Sequence, residues 1–168
     1  MNIFLIAAIT ADGFIAENVK QISTSWTSKE DKKFFSARTK EAGVVVMGSK
    51  TYATVKRPLP DRLNIVYSKS HQAPQENLRY TNESPAQLLS NLEKEGFSEV
   101  AICGGASIYT MFLKAGLINK LYITIEPVLF GSGIKLLGEE MRTRLQLVAM
   151  KKLAESTILL EYDVLPRS

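Results

Sequence analysis

Two groups of residues combine reactive or charged side chains with a spacing that gives them a task. The first is Trp26-Thr27-Ser28-Lys29-Glu30-Asp31-Lys32-Lys33-Phe34-Phe35. Thr27-Ser28-Lys29-Glu30 has the spacing of a helix-capping box, which predicts a helix from about Ser28 to Glu41. Asp31 and Phe35 lie four positions apart and so share a face of that helix. A carboxylate beside an aromatic ring suits a flat nitrogen heterocycle, which packs on the ring and pairs its nitrogens with the carboxylate. The capping-box register gives Glu30 to the helix N-terminus and leaves Asp31 free. The register shifted by one makes Ser28 the cap and Asp31 its partner, and both acids also suit a helix start electrostatically. Phe34 reads as core. The second group is a pair of turns, Gly48-Ser49-Lys50-Thr51 after Val44 to Met47, and Gly104-Gly105-Ala106-Ser107 after Val100 to Cys103. A helix start offers free N–H groups and a partial positive charge to phosphate, and glycine allows close approach. Two such turns could hold the two ends of a dinucleotide. Neither is a Walker or GxGxxG fingerprint, and alone each reads as a tight turn.

The elements that position these residues alternate between strand and helix. Ile3 to Ile9 is a continuous apolar run, as expected of a strand buried on both faces. Ala11-Asp12-Gly13 reads as a turn, and residues 16 to 25 as a polar loop. Val44 to Met47, Leu63 to Tyr67, Glu99 to Cys103 and Leu121 to Glu126 are further strands. Ser84 caps a helix that begins at Pro85, and another helix runs from Gly104-Gly105 to about Ala115. Leu145 to Lys152 and Thr157 to Val164 form a closing antiparallel pair. The pattern predicts an α/β fold over residues 1–168 as a single domain, with a mixed, mostly parallel sheet and helices on both faces. Ligands in such sheets bind beyond the carboxyl ends of the strands, here the loops after Ile9, Met47, Tyr67 and Cys103.

Composition narrows the class. The chain has 168 residues, of which 45% are hydrophobic and 23% charged, as in ordinary globular domains. No apolar run approaches the ~20 residues that span a bilayer. The opening Met1 to Ile9 reads as a buried strand rather than a signal peptide. One cysteine, Cys103, forms no internal disulfide, and a cytoplasmic location is expected. The net charge of +4 is scattered, without a basic run interleaved with aromatics. That argues against nucleic acid and suits small anionic ligands. His71 reads as an exposed loop residue. No metal-ligand cluster is expected.

In combination these motifs resemble the dihydrofolate reductase family. The similarity rests on Trp26 with Asp31 and Phe35, on Val45-Val46-Met47-Gly48-Ser49-Lys50-Thr51-Tyr52, on Arg57-Pro58-Leu59-Pro60-Asp61-Arg62-Leu63-Asn64-Ile65-Val66, and on Ile102-Cys103-Gly104-Gly105 followed by Ile108-Tyr109 and Leu121-Tyr122-Ile123-Thr124. It covers residues 1 to about 126 in order. The resemblance implies the family fold with a C-terminal hairpin, NADPH as cofactor and a folate or pterin substrate, without nucleic-acid or membrane partners, as monomer or homodimer. It implies a catalytic group of Asp31, Thr124 and Trp26, with Thr124 bonded behind the Asp31 carboxyl. Ile6, Phe35, Leu59 and Cys103 would wall the substrate cleft, and Arg62 would hold the glutamyl α-carboxylate of folate. Ala7, Ile15, Gly48, Ser49, Thr51, Gly104, Gly105, Ala106, Ser107, Ile108 and Tyr109 would line the cofactor. Lys50, Ser68 and Lys69 would grip its 2′-phosphate.

The chain also departs from that pattern. Ser49 stands where an arginine often follows the glycine, and the Ala11–Trp26 loop, a gate over the site, is long. Glu126-Pro127-Val128-Leu129-Phe130-Gly131-Ser132-Gly133 and Ala11-Asp12-Gly13-Phe14-Ile15-Ala16 resemble the reductase domain of riboflavin biosynthesis. That relative shares the fold and nicotinamide cofactor, acts on a ribosylaminopyrimidine phosphate and is commonly dimeric. A binding protein on the same fold without catalysis is a third reading. If Lys50 and Lys69 grip a 2′-phosphate, dissociation constants for NADPH and NADH differ by about tenfold or more. Equal constants would show that neither lysine meets that phosphate.

Overall fold

Apolar runs lay down the sheet, and polar punctuation turns the chain between its faces. The computed structural model describes residues 1–70 and 73–166; His71 lies outside the described residues. The elements are β1 (Asn2–Thr10), β2 (Phe14–Ala16), a 3-10 turn (Ser23–Ser25), α1 (Lys29–Ala42), β3 (Val44–Gly48), α2 (Ser49–Val55), β4 (Leu63–Tyr67), β5 (Leu78–Thr81), α3 (Pro85–Lys94), β6 (Glu99–Ile102), α4 (Ala106–Lys114), β7 (Lys120–Glu126), β8 (Ile134–Lys135), β9 (Leu145–Lys152) and β10 (Ile158–Val164). Eight strands form one sheet in the order β5-β4-β3-β6-β1-β7-β10-β9. The strands from β5 to β7 pair in parallel, whereas β10 pairs antiparallel to both β7 and β9. The sheet is therefore mixed and mostly parallel, closed by a C-terminal hairpin, as the sequence pattern predicts. β2 and β8 form a separate two-stranded sheet.

The central strands are buried because both faces are covered. On one face Leu5, Val46 and Ile102 pack with Leu88, Leu89 and Leu92 of α3 and Phe112 of α4. On the other, Phe4, Val45 and Met47 pack with Phe34 and Phe35 of α1 and Tyr52 of α2. Arg38 docks α1 on the sheet. Its guanidinium lies 4.0 Å from the Phe4 ring centroid and donates to both Glu99 oxygens at 2.8 and 2.9 Å. Planar stacking and a bidentate carboxylate contact use both properties of the arginine head.

The start of α1 follows the shifted register. Ser28 is the N-cap, and its Oγ accepts from the Asp31 N–H at 3.1 Å. Glu30 does not complete the box. The reciprocal acid comes from β7, where Glu126 Oε1 accepts from the Ser28 N–H at 2.8 Å and from its hydroxyl at 2.7 Å. Glu126 Oε2 accepts from the Thr157 hydroxyl at 3.0 Å. Glu126 is 2% exposed. The capping box is thus completed across the fold, and the Asp31 side chain is released from helix capping.

Replacing Glu126 by alanine leaves the Ser28 N–H and the Thr157 hydroxyl inside the protein without their acceptor. Each orphaned group costs about 1–3 kcal/mol, so Glu126→Ala lowers unfolding stability by about 3 kcal/mol. Urea titration at pH 7 measures this; a loss under about 0.5 kcal/mol is the surface-substitution result and would contradict the anchoring role.

Candidate active site

A cavity of about 570 Å³ opens where β1, β3, β4 and β6 end, between α1, α2 and the start of α4. Its position obeys the strand-end rule for open α/β sheets. One half is walled by Asp31, Phe35, Leu59, Ile6 and Cys103; the other is walled by Ala7, Ile15, Gly48, Ser49, Lys50 and Thr51, with Gly105, Ala106, Ser107, Ile108 and Tyr109. All of these residues line one space.

Asp31 is 8% exposed. Burial holds its carboxyl above the usual carboxylate range. A hydrogen bond with Thr124 opposes that shift, the charge of Glu126 adds to it, and the charge of Lys32 and a hydrogen bond with Thr27 oppose it. Thr124, on β7 and 2% exposed, does not line the cavity; it stands behind the carboxyl. The Cys103 thiol is pushed up to about 12 by burial, which keeps it protonated and removes it as a nucleophile near neutral pH.

The half of the cavity formed by the glycine turns is shaped by close packing. Gly104 has φ +107°, and a Cβ there would lie 3.0 Å from the Tyr109 ring. A Cβ on Gly105 would lie 3.2 Å from Thr51 Oγ1. Tyr109 is fixed from below by its hydroxyl, which donates to the Ile6 carbonyl at 2.8 Å. The peptide bond between Gly104 and Gly105 is cis. Gly105 caps α4 without a side-chain hydrogen bond, and Ala106 and Ser107 of the first turn face the cavity. Open N–H groups over a side-chain-free floor, with Lys50 at the rim, form a donor set that fits a phosphate-bearing nucleotide.

Six expected site residues lie off the cavity wall: Thr124, behind Asp31, and Trp26, Arg62, Ser68, Lys69 and Gly104. Trp26 does not line the cavity; it packs edge-on against Phe130 with ring centroids 5.1 Å apart, and its Nε1 is buried without a partner. Phe130 is placed there by Asp12, which accepts from the Phe130 N–H at 3.2 Å and the Gly131 N–H at 2.7 Å. Arg62 does not line the cavity either. It is 5% exposed, its Nε donates to the Pro60 carbonyl at 2.8 Å, and its Nη1 donates to the Thr39 hydroxyl. Ser68 and Lys69 follow β4 outside the cavity wall. Gly104 acts from beneath, through Tyr109. The structure adds Lys32, Tyr67 and Ile134 to the wall. Lys32 was legible in its place between Asp31 and Phe35 on one helix turn. Ile134 carried no local signal, since the β2–β8 pairing brings it in.

The raised Asp31 pKa has a stability consequence of definite sign. Its unfolded value is the ordinary ~3.9, and the folded value lies higher. The native state therefore keeps a proton that the unfolded chain has lost, and this contribution is full below pH ~4 and fades as pH rises through the folded value. Asp31→Asn removes the burden of the buried charge, so it raises the melting temperature relative to wild type at pH 8, and the gap closes toward pH 4. A gap independent of pH would show that the carboxyl is not perturbed.

The chain matches the dihydrofolate reductase family over residues 2–128. A dihydrofolate reductase of Buchnera aphidicola subsp. Baizongia pistaciae is 32% identical over 132 residues, covering 78% of this chain and 75% of its own. An uncharacterized Bacillus subtilis protein, YwjB, is 30% identical over 162 residues, covering 90% and 92%. Among solved structures, a Thermotoga maritima diaminohydroxyphosphoribosylaminopyrimidine deaminase/5-amino-6-(5-phosphoribosylamino)uracil reductase has a TM-score of 0.79 at 15% identity, covering 98% of this chain and 56% of that one. That likeness is one of fold. The buried acid of α1, the glycine floor before α4 and the match over residues 2–128 agree: the chain belongs to the dihydrofolate reductase family.

Proposed function

We propose that this chain, acting as a single cytoplasmic domain, catalyses NADPH-dependent reduction of 7,8-dihydrofolate to tetrahydrofolate. The observation that carries the reading is Asp31, a buried acid with a raised pKa, held by Thr124 and facing the same cavity as Phe35 and the Gly105–Ser107 turn. NADPH, when bound, supplies the hydride. The chain's residues orient, exclude water and manage a proton. Phe35 and Leu59 offer apolar walls to a flat ring, and Ile6 and Ala7 line the cavity from β1. Asp31 pairs with ring nitrogens and favours the protonated heterocycle, because a buried carboxylate gains more from a cationic partner than from water. Holding ring and cofactor together in one cavity replaces a bimolecular encounter.

A second reading has its own support. Arg62 stands outside the cavity wall, and two of its five N–H groups are already given to Pro60 and Thr39, so only the remaining ones are free for a glutamyl carboxylate. The fold is also that of a phosphoribosylaminouracil reductase. Reduction of a ribosylaminopyrimidine phosphate at the same site is therefore the alternative.

The decisive measurement is NADPH oxidation at 340 nm (a general property of the cofactor) with dihydrofolate and, in parallel, with 5-amino-6-(5-phosphoribosylamino)uracil. Turnover with dihydrofolate supports the first reading, turnover with the uracil alone supports the second, and oxidation with neither removes both. With the active substrate, Asp31→Asn lowers turnover by about 10²–10⁴-fold while NADPH affinity stays near wild type. Glu30→Gln leaves turnover nearly unchanged.

A further inference from the structure

We infer that Lys32 grips the anionic group of the substrate, and that this reductase takes a flat nitrogen heterocycle carrying a carboxylate or phosphate within reach of α1. The inference rests on the reading above that the Asp31 half of the cavity holds the heterocycle. Lys32 follows Asp31 directly and precedes Phe35 by three, so it shares their side of the helix. It is half-buried and lines the cavity, whereas Lys29 and Lys33 on the same helix are exposed and do not. Apart from its field on Asp31, Lys32 has no ion pair or side-chain hydrogen bond among the described residues. An ammonium held half out of water beside apolar side chains is poorly solvated until an anion meets it.

The other cations near the cavity are assigned elsewhere by their surroundings. Lys50 follows Gly48 and Ser49 at the opposite half, beside the start of α2. Arg62 ties the Pro60 carbonyl to Thr39 of α1 and lies behind the wall. Lys32 is the cation that faces the heterocycle half. A flexible stem with a compact charge can follow a carboxylate or a phosphate, where a fixed guanidinium fork demands one geometry. The two anions are therefore separated by experiment.

The test is equilibrium titration of the full chain, with and without NADP⁺, using two pairs of probes. One pair is 7,8-dihydrofolate and its glutamyl diamide, which keeps the aminobenzoyl ring and lacks the charged carboxylates. The other is 5-amino-6-(5-phosphoribosylamino)uracil and its dephosphorylated form. Wild type holds the charged member of one pair tighter than its uncharged partner by about tenfold or more, and the pair that shows the difference names the anion. Lys32→Met brings that ratio close to one and leaves the uncharged probe unaffected; Lys32→Arg restores most of it. A ratio that persists in Lys32→Met overturns the inference, as does equal behaviour of charged and uncharged probes in wild type. Loss of the ratio in Arg62→Ala but not in Lys32→Met transfers the anion to Arg62 and also overturns it. Direct NADPH titration reports on the cofactor half alone, so its failure would remove the proposed function without bearing on the Lys32 ratio.

Discussion

Glu126 joins three parts of the chain that are remote in sequence. Its two oxygens hold the first residue of the α1 cap and the turn between the last two strands, while its own backbone ends the β7 strand beside β1. A helix start usually satisfies its N–H groups with acids of its own first turn. Here the acid is borrowed from the sheet, and two consequences follow together. The helix is fixed in rotation against the strand that carries Thr124, and the first-turn carboxyl of Asp31 has no capping duty. Burial of that carboxyl beside a second acid is unfavourable by itself, and Thr124, Thr27 and Lys32 offset part of it. The fold thus buries an acid whose carboxyl is held above the usual carboxylate range.

The cavity is electrostatically divided by the same geometry. At the half formed by the glycine turns, the attraction for anions comes from backbone N–H groups at the start of α4 and from Lys50. At the other half Asp31 and Lys32 stand next to each other with opposite preferences. A ligand that satisfies both must present a proton-rich ring edge and, a short distance away, a negative group. Cys103, in the wall beside Ile6 and Leu59, contributes shape rather than reactivity, because burial keeps its thiol neutral.

Much of this was legible in the chain, for identifiable reasons. β3 and β6 are buried on both faces, so Val44 to Met47 and Val100 to Ile102 read as unbroken apolar runs. The N-caps Ser28 and Ser84 stand where hydroxyl spacing puts them, although only the structure decides between Thr27 and Ser28. The glycine turns carry their own signature. β5 stayed silent because Leu78 is its only fully buried residue, and β2 and β8 because pairs of two or three residues show no period. The packing of Trp26 on Phe130 carried no local signal, because Asp12 brings Phe130 in from the far side of the sequence. Arg62 stands in its motif, but motif spacing does not show that Pro60 and Thr39 share its guanidinium or that it lies behind the cavity wall.

That Asp12 contact also has a mechanical side. Asp12 holds the Phe130 and Gly131 amides, Phe14 and Ala16 pair with Lys135 and Ile134, and a Cβ on Gly133 would meet the Ala16 carbonyl at 2.3 Å. The segment that opens the long loop over the cavity is therefore laminated to a second segment more than a hundred residues later. Bending a two-ply segment of this kind requires both plies to move together, and Ile134 of the second ply is part of the cavity wall. The second ply thus shares in shaping the cavity, although it lies more than a hundred residues from the loop that it backs.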